Sequence, residues 1–229
     1  MTINKAFKDV YNEFLSDQGY TYCSKLQRFI KVLNKELIFF IGLKKVSPSW
    51  KQNKAFTINA GIVSVYFSEC SKWTFNYNGH DIQNFSPEYK YGMGFEYNED
   101  SMMELVEESA RLTKELILPV LNNVTDLKSY VDYAMDYSEI TLSDCNKFAY
   151  DSLTLILTDN HEDFMDRVTI TNENEREFVT ECVNEIYNAP RDEVYANEEL
   201  LQAAYAEAKK RKKENLEKLQ EFLGGRSIL

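Results

Sequence analysis

At 229 residues, with 44% apolar and 14% aromatic content, the chain can bury a sizeable core without a disulfide or metal staple. Eight Gly and four Pro exclude a low-complexity or Pro-rich chain. The net charge of −11 opposes a polyanionic partner.

The most apolar run, Leu37–Leu43, is far shorter than the roughly 20 residues a spanning helix needs. Met1-Thr2-Ile3-Asn4-Lys5 leads straight into a polar amphipathic pattern with no apolar signal segment. A cytoplasmic chain with no membrane contact is expected. Cys23, Cys70, Cys145 and Cys182 show no CxxC pairing and are read as buried, reduced thiols, although their spacing leaves a disulfide open.

Thr2 is the expected N-cap of a first helix, whose face is Ile3, Phe7, Val10, Tyr11, Phe14 and Leu15. Gly19 is expected to close it in the left-handed conformation. Gln27–Leu33 and Glu36–Leu43 read as two strands of a hairpin, joined across Asn34-Lys35. Ala55–Phe67 is a further strand with Phe56, Ile58, Ala60 and Ile62 on one face. Gly61 within it signals a bulge or a close backbone approach. Trp73–Tyr77 and Tyr89–Tyr97 alternate like strands. Helices follow. The first is capped by Asn98 or Asp100 and is kinked or ended by Pro119. Later ones are expected over 126–137, Ser143–Leu157 and Glu173–Asn188, with a last one from Asn197 to about Phe222.

The fold class expected is α+β: a mainly antiparallel sheet with an N-terminal helix and a helical C-terminal half. The chain divides into an α+β domain over 1–125 and a helical extension over 126–229, packed on it or forming a subdomain. The opening helix, Gly19-Tyr20, Lys44-Lys45-Val46-Ser47, Trp50 and above all Phe56-Thr57-Ile58-Asn59-Ala60-Gly61-Ile62 carry a resemblance. Residues 4–125 resemble the bacterial family catalogued as domain of unknown function 4304. The resemblance implies a fold and no activity.

No motif names a reaction. His80 and His161 stand apart, so no zinc set is written and no metal is expected. Asp159–Asp163 lacks the spacing of a calcium loop. A GxSxG elbow and a phosphate loop are both absent, so no catalytic residue and no cofactor is assigned. Glu104, Glu107 and Glu108 read as a solvated helix face, as does the acidic run Glu173, Glu175 and Glu177.

Charge is unevenly spread. Residues 1–98 hold 12 Lys+Arg and 8 Asp+Glu, whereas 99–229 hold 14 and 29. The asymmetry marks either a partner-binding face or attraction between the halves, and the second carries more weight. Lys25–Lys54 contains eight basic residues and one acid, interleaved with Phe29, Phe39, Phe40 and Trp50. That pattern suits single-stranded nucleic acid, but the overall charge and the apolar setting of Phe39 and Phe40 favour a solvated sheet face. The C-terminal run Lys209–Lys213 is flanked by Glu at i,i+4 spacing, so it reads as an exposed charged helix. Its apolar residues would dock on the body or join a second copy into a homo-oligomer.

The function expected is a non-enzymatic cytoplasmic protein-interaction module of bacterial type, in one version an immunity-like protein masking a basic enzyme. The alternatives are a hydrolase or transferase with an unrecognised cleft, and nucleic-acid binding through the basic sheet face. The candidate ligand or partner contacts are Lys44, Ser47, Trp50 and Lys51, in a loop where basic and aromatic groups lack a packing reason.

Overall fold

Thr2 starts the first helix as expected. Its backbone is extended and its hydroxyl accepts from the Lys5 amide at 3.4 Å. The computed structural model describes residues 1–47, 53–66, 70, 75, 79–86, 94–138 and 198–225. Helix α1 (Ile3–Leu15) buries Ile3, Ala6, Phe7, Tyr11 and Leu15. A 3₁₀ turn over Ser16–Gln18 ends at Gly19, whose φ of 83° lies in the region only glycine enters without strain.

Six strands form one antiparallel sheet: β1 (Thr21–Cys23), β2 (Arg28–Leu33), β3 (Leu37–Val46), β4 (Lys54–Ser64), β5 (His80–Asp81) and β6 (Phe95–Tyr97). The order is β1-β2-β3-β4, and both β5 and β6 pair with β4. The β2–β3 hairpin turns at Asn34 (φ 53°) and Lys35 (φ 58°), with Glu36 N–H donating to the Leu33 carbonyl at 3.0 Å. Two successive left-handed residues make the tight turn whose twist matches the strands. The β3–β4 register runs unbroken from Leu37 opposite Ser64 to Val46 opposite Ala55. Gly61 therefore marks no bulge; it sits opposite Phe40.

Alternation along the strands sends side chains to two cores. Phe29, Leu37, Phe39, Ile41, Phe56, Ile58, Ala60 and Ile62 face the larger one. Ile30, Ile38, Phe40 and Val63 face the other. A nearly continuous apolar run such as Leu37–Ile41 arises because β3 is buried on both faces.

The larger core is covered by α1 and by α2 (Met102–Leu112). Asn98 Oδ1 accepts from the amides of Asp100 and Ser101 at 3.0 Å, turning the chain into α2. Tyr11 donates or accepts between Ser109 Oγ (3.1 Å) and Thr113 Oγ1 (2.9 Å), joining the two helices inside the core. Thr113–Ile117 widens into a π-turn, with Leu118 N–H bonded to the Thr113 carbonyl, before the short α3 (Leu118–Asn122). Pro119 is the physical cause: it has no N–H for the helical ladder, and a locally widened turn keeps its ring clear of the preceding carbonyls. The helix is thus neither ended nor broken at Pro119.

Helix α4 (Leu127–Ser138) opens with a reciprocal cap. Asp126 Oδ1 accepts from Ser129 N–H at 2.8 Å, and Ser129 Oγ accepts from Asp126 N–H at 3.1 Å. The Ser129 N–H, together with the Ser129 hydroxyl donating to the same oxygen at 2.8 Å, holds the Asp126 carboxyl below its ordinary pKa. Tyr130 and Tyr133 of α4 join the larger core. Helix α5 (Glu198–Phe222) covers the second face through Ala208 and Leu219, with Leu223 beyond its end. Asn215 fixes it: its amide donates to the Val65 carbonyl at 2.8 Å, and its oxygen accepts from Cys70 N–H at 2.9 Å.

The expected strand over Trp73–Tyr77 is described only at Phe75, which is buried and helical rather than extended. Of Tyr89–Tyr97, the described strand is Phe95–Tyr97. The helices expected over Ser143–Leu157 and Glu173–Asn188, together with Cys145 and Cys182, lie outside the described residues. Cys23 and Cys70 are both buried. No described helix is long and apolar enough to cross a membrane.

Candidate functional site

The far end of β3 and the start of β4 hold the sequence-predicted contacts. Lys44 and Ser47 are exposed there, and Trp50 and Lys51 lie outside the described residues. Lys44 is engaged: its ammonium donates to Asp81 Oδ2 at 2.9 Å and Oδ1 at 3.2 Å, with 48% of the lysine side chain exposed against 19% of the aspartate.

From Asp81 a polar chain runs inward. Asn59 Nδ2 donates to Asp81 Oδ1 at 3.0 Å, and Arg28 Nη1 donates to Asn59 Oδ1 at 3.1 Å. Arg28 and Asn59 are buried, and the guanidinium lies over the Phe40 ring, 5.4 Å from its centroid. Register explains the arrangement. Arg28 pairs with Gly42, Gly42 with Asn59, and Asn59 with Asp81, so the three polar side chains share one face across four strands. Gly42 is the open place in that row: a Cβ there would stand 2.6 Å from Arg28 Cγ and Nη1. Burial draws the Arg28 pKa down to about 10, opposed by the nearby Asp81 charge, so the group stays a cation at neutral pH.

The basic run does not form one patch. Arg28 and Lys44 project to the second face, while Lys31, Lys45 and Lys54 project to the first. Several cations are also seated on aromatic rings. Lys31 lies 5.5 Å from both Tyr20 and Phe39, Lys8 lies 5.4 Å from Tyr22, and Lys114 lies 4.4 Å from Phe14. On α2, Arg111 is clamped by Glu108 at 2.7 Å and Glu115 at 2.6 Å, which raises its pKa further. The carboxylates are treated differently. Asp9 and Glu13 on α1, and Glu104 and Glu107 on α2, are exposed and make no hydrogen bond or ion pair among the described residues. Lys212 of α5 bonds Glu36 at 3.2 Å, a contact of opposite polarity to the attraction expected between the two halves.

A cleft of about 940 Å³ opens at this end of the sheet, on the side of α1 and α2, with Lys45 and Lys54 among its lining residues. Among the described residues no group of three or more His, Cys, Asp or Glu is placed to hold a metal.

Asn59 and Asp81 were missed by sequence reasoning. Asn59 carries a readable signal, an amide inside an apolar strand out of phase with Phe56 and Ile58. Asp81 carries none, because its role comes from a two-residue strand that only pairing creates.

Comparison with family models, with curated proteins and with solved structures finds no match for this chain.

Proposed function

We propose that this chain is a non-enzymatic protein-interaction module that docks a basic protein surface on the outer layer formed by α1 and α2. An immunity-type protein masking a basic enzyme would work in this way. The reading also places residues 4–125 with the uncharacterised family they resemble, in a bacterial cytoplasm. One observation carries it: on this outer layer Lys8 and Lys114 rest on aromatic rings and Arg111 is paired, while Asp9, Glu13, Glu104 and Glu107 are exposed with no hydrogen-bond or ion-pair partner among the described residues. Such a surface attracts cationic partners over a Debye length of about 10 Å and accelerates their docking.

The test is a tagged pull-down from the native host at low salt, identifying both protein and nucleic acid. The doubly charge-reversed Glu104→Lys/Glu107→Lys chain is run beside it. A single stoichiometric basic protein is expected with the wild type, weakened at least tenfold by the reversal and released by 0.5 M salt, as about one Debye length of 4 Å would require. Retention of no protein at low salt, or retention indifferent to the reversal, defeats the proposal. Retained nucleic acid would shift the reading to the basic sheet residues.

A further inference from the structure

The cleft at the end of the sheet has a divided lining. Its floor is apolar: Ile3, Tyr97 and Met102 contribute to it and keep 7–9% of their surface exposed, unlike the fully enclosed core beneath. Its rim carries Lys45 and Lys54. Lys45 pairs with Phe56, two residues along β4 from Lys54, so the two lysines are diagonal neighbours on one face, about 7 Å apart at the backbone. Both are exposed, and neither has a hydrogen-bond or ion-pair partner among the described residues. Two like charges held side by side with no counter-charge paired to them among the described residues repel each other, and a bound anion relieves that repulsion. Glu99 is the one carboxylate among the described residues lining the cleft. The volume of about 940 Å³ lies within the range of small-molecule sites, which combine apolar walls with a few convergent polar groups.

We infer that this cleft binds a small amphiphilic carboxylate, its apolar body on Ile3, Tyr97 and Met102 and its head between Lys45 and Lys54. A carboxylate offers two acceptor oxygens, one for each ammonium. The site is separate from the acidic outer surface of α1 and α2 and stands or falls without it.

Octanoate is the probe and octanol the uncharged control, each titrated into the full chain at low salt and followed by amide NMR shifts. Octanoate is expected to bind saturably, with shifts centred on Lys45, Val46, Lys54, Ala55 and Tyr97–Met102, and at least tenfold tighter than octanol. The Lys45→Gln/Lys54→Gln chain is expected to lose that preference while keeping its unfolding temperature, since both side chains are exposed and have no partner among the described residues. Glu99→Gln is expected to tighten octanoate severalfold. Absence of saturable shifts with octanoate, shifts centred elsewhere, equal binding of octanol, or a preference that survives the double substitution overturns the inference.

Discussion

Asn59 shows how one side chain decides the interior of the second sheet face. It accepts from the buried Arg28 and donates to the half-buried Asp81, so it passes the influence of a surface carboxylate to a desolvated cation. A hydrogen bond to a charged group contributes about 1.5–3 kcal/mol, and a buried donor deprived of its acceptor costs a similar amount. Asn59→Leu is therefore expected to lower stability by about 2 kcal/mol, read as a fall in the urea midpoint with the slope unchanged. The exposed Lys44–Asp81 pair is worth much less, about 0–1 kcal/mol, because water screens it. An unchanged midpoint in Asn59→Leu would mean that Arg28 is stabilised by its ring contact with Phe40 and its other neighbours instead.

Among the elements, the β2–β3 hairpin is the clearest case of local chemistry under strain. Asn34 tolerates the left-handed conformation, but Lys35 is held there at φ 58° with a full side chain. Glycine removes that cost, of order 1–2 kcal/mol, against a smaller loss from the freer unfolded chain. Lys35→Gly is expected to stabilise the protein by roughly 0.5–1 kcal/mol, read as a higher urea midpoint. The side chain is exposed, so packing does not offset the gain. The π-turn at Thr113–Ile117 is a second device at this scale: it lets one helical path carry Pro119 while Ile117, Leu118 and Leu121 stay buried.

At the scale of the whole molecule, the described sheet is a layer buried on both sides, by α1 and α2 on one and by α5 on the other. The two coverings are held differently. The first is joined through a broad apolar core with one internal hydroxyl cluster at Tyr11. The second adds polar fixings along one helix: Asn215 to Val65 and Cys70, Arg211 to the Tyr66 carbonyl at 3.3 Å, and Lys212 to Glu36. Tyr66 in turn donates to Glu36 at 2.9 Å, and burial with the adjoining carboxylate pushes its phenol pKa up. Asn215→Leu removes an acceptor from one buried backbone donor and a donor from one buried carbonyl. It is expected to cost about 2–3 kcal/mol and to raise hydrogen exchange along α5 ahead of the sheet. Exchange that rose equally everywhere would show that α5 and the sheet unfold as one unit.

The sequence by itself determined the local elements. Thr2, the 3–4 spacing from Ile3 to Leu15, Gly19, the Asn34-Lys35 turn and the alternation Phe56–Ile62 each act over a few residues, and the α+β class follows from their order. Such features are legible because the period of a strand or helix is set by the backbone alone. The candidate contact residues were chosen on the same local grounds, and local grounds cannot tell Lys44 from Lys45. Tertiary structure separates them: alternation turns Lys44 towards Asp81 on one face and Lys45 towards the cleft on the other. It also decided what charge counting could not, namely which cations rest on rings and which carboxylates meet water. The physical reason is distance in the chain: Arg28, Asn59 and Asp81 become neighbours only when three strand pairings are made, and no short window of sequence contains those pairings.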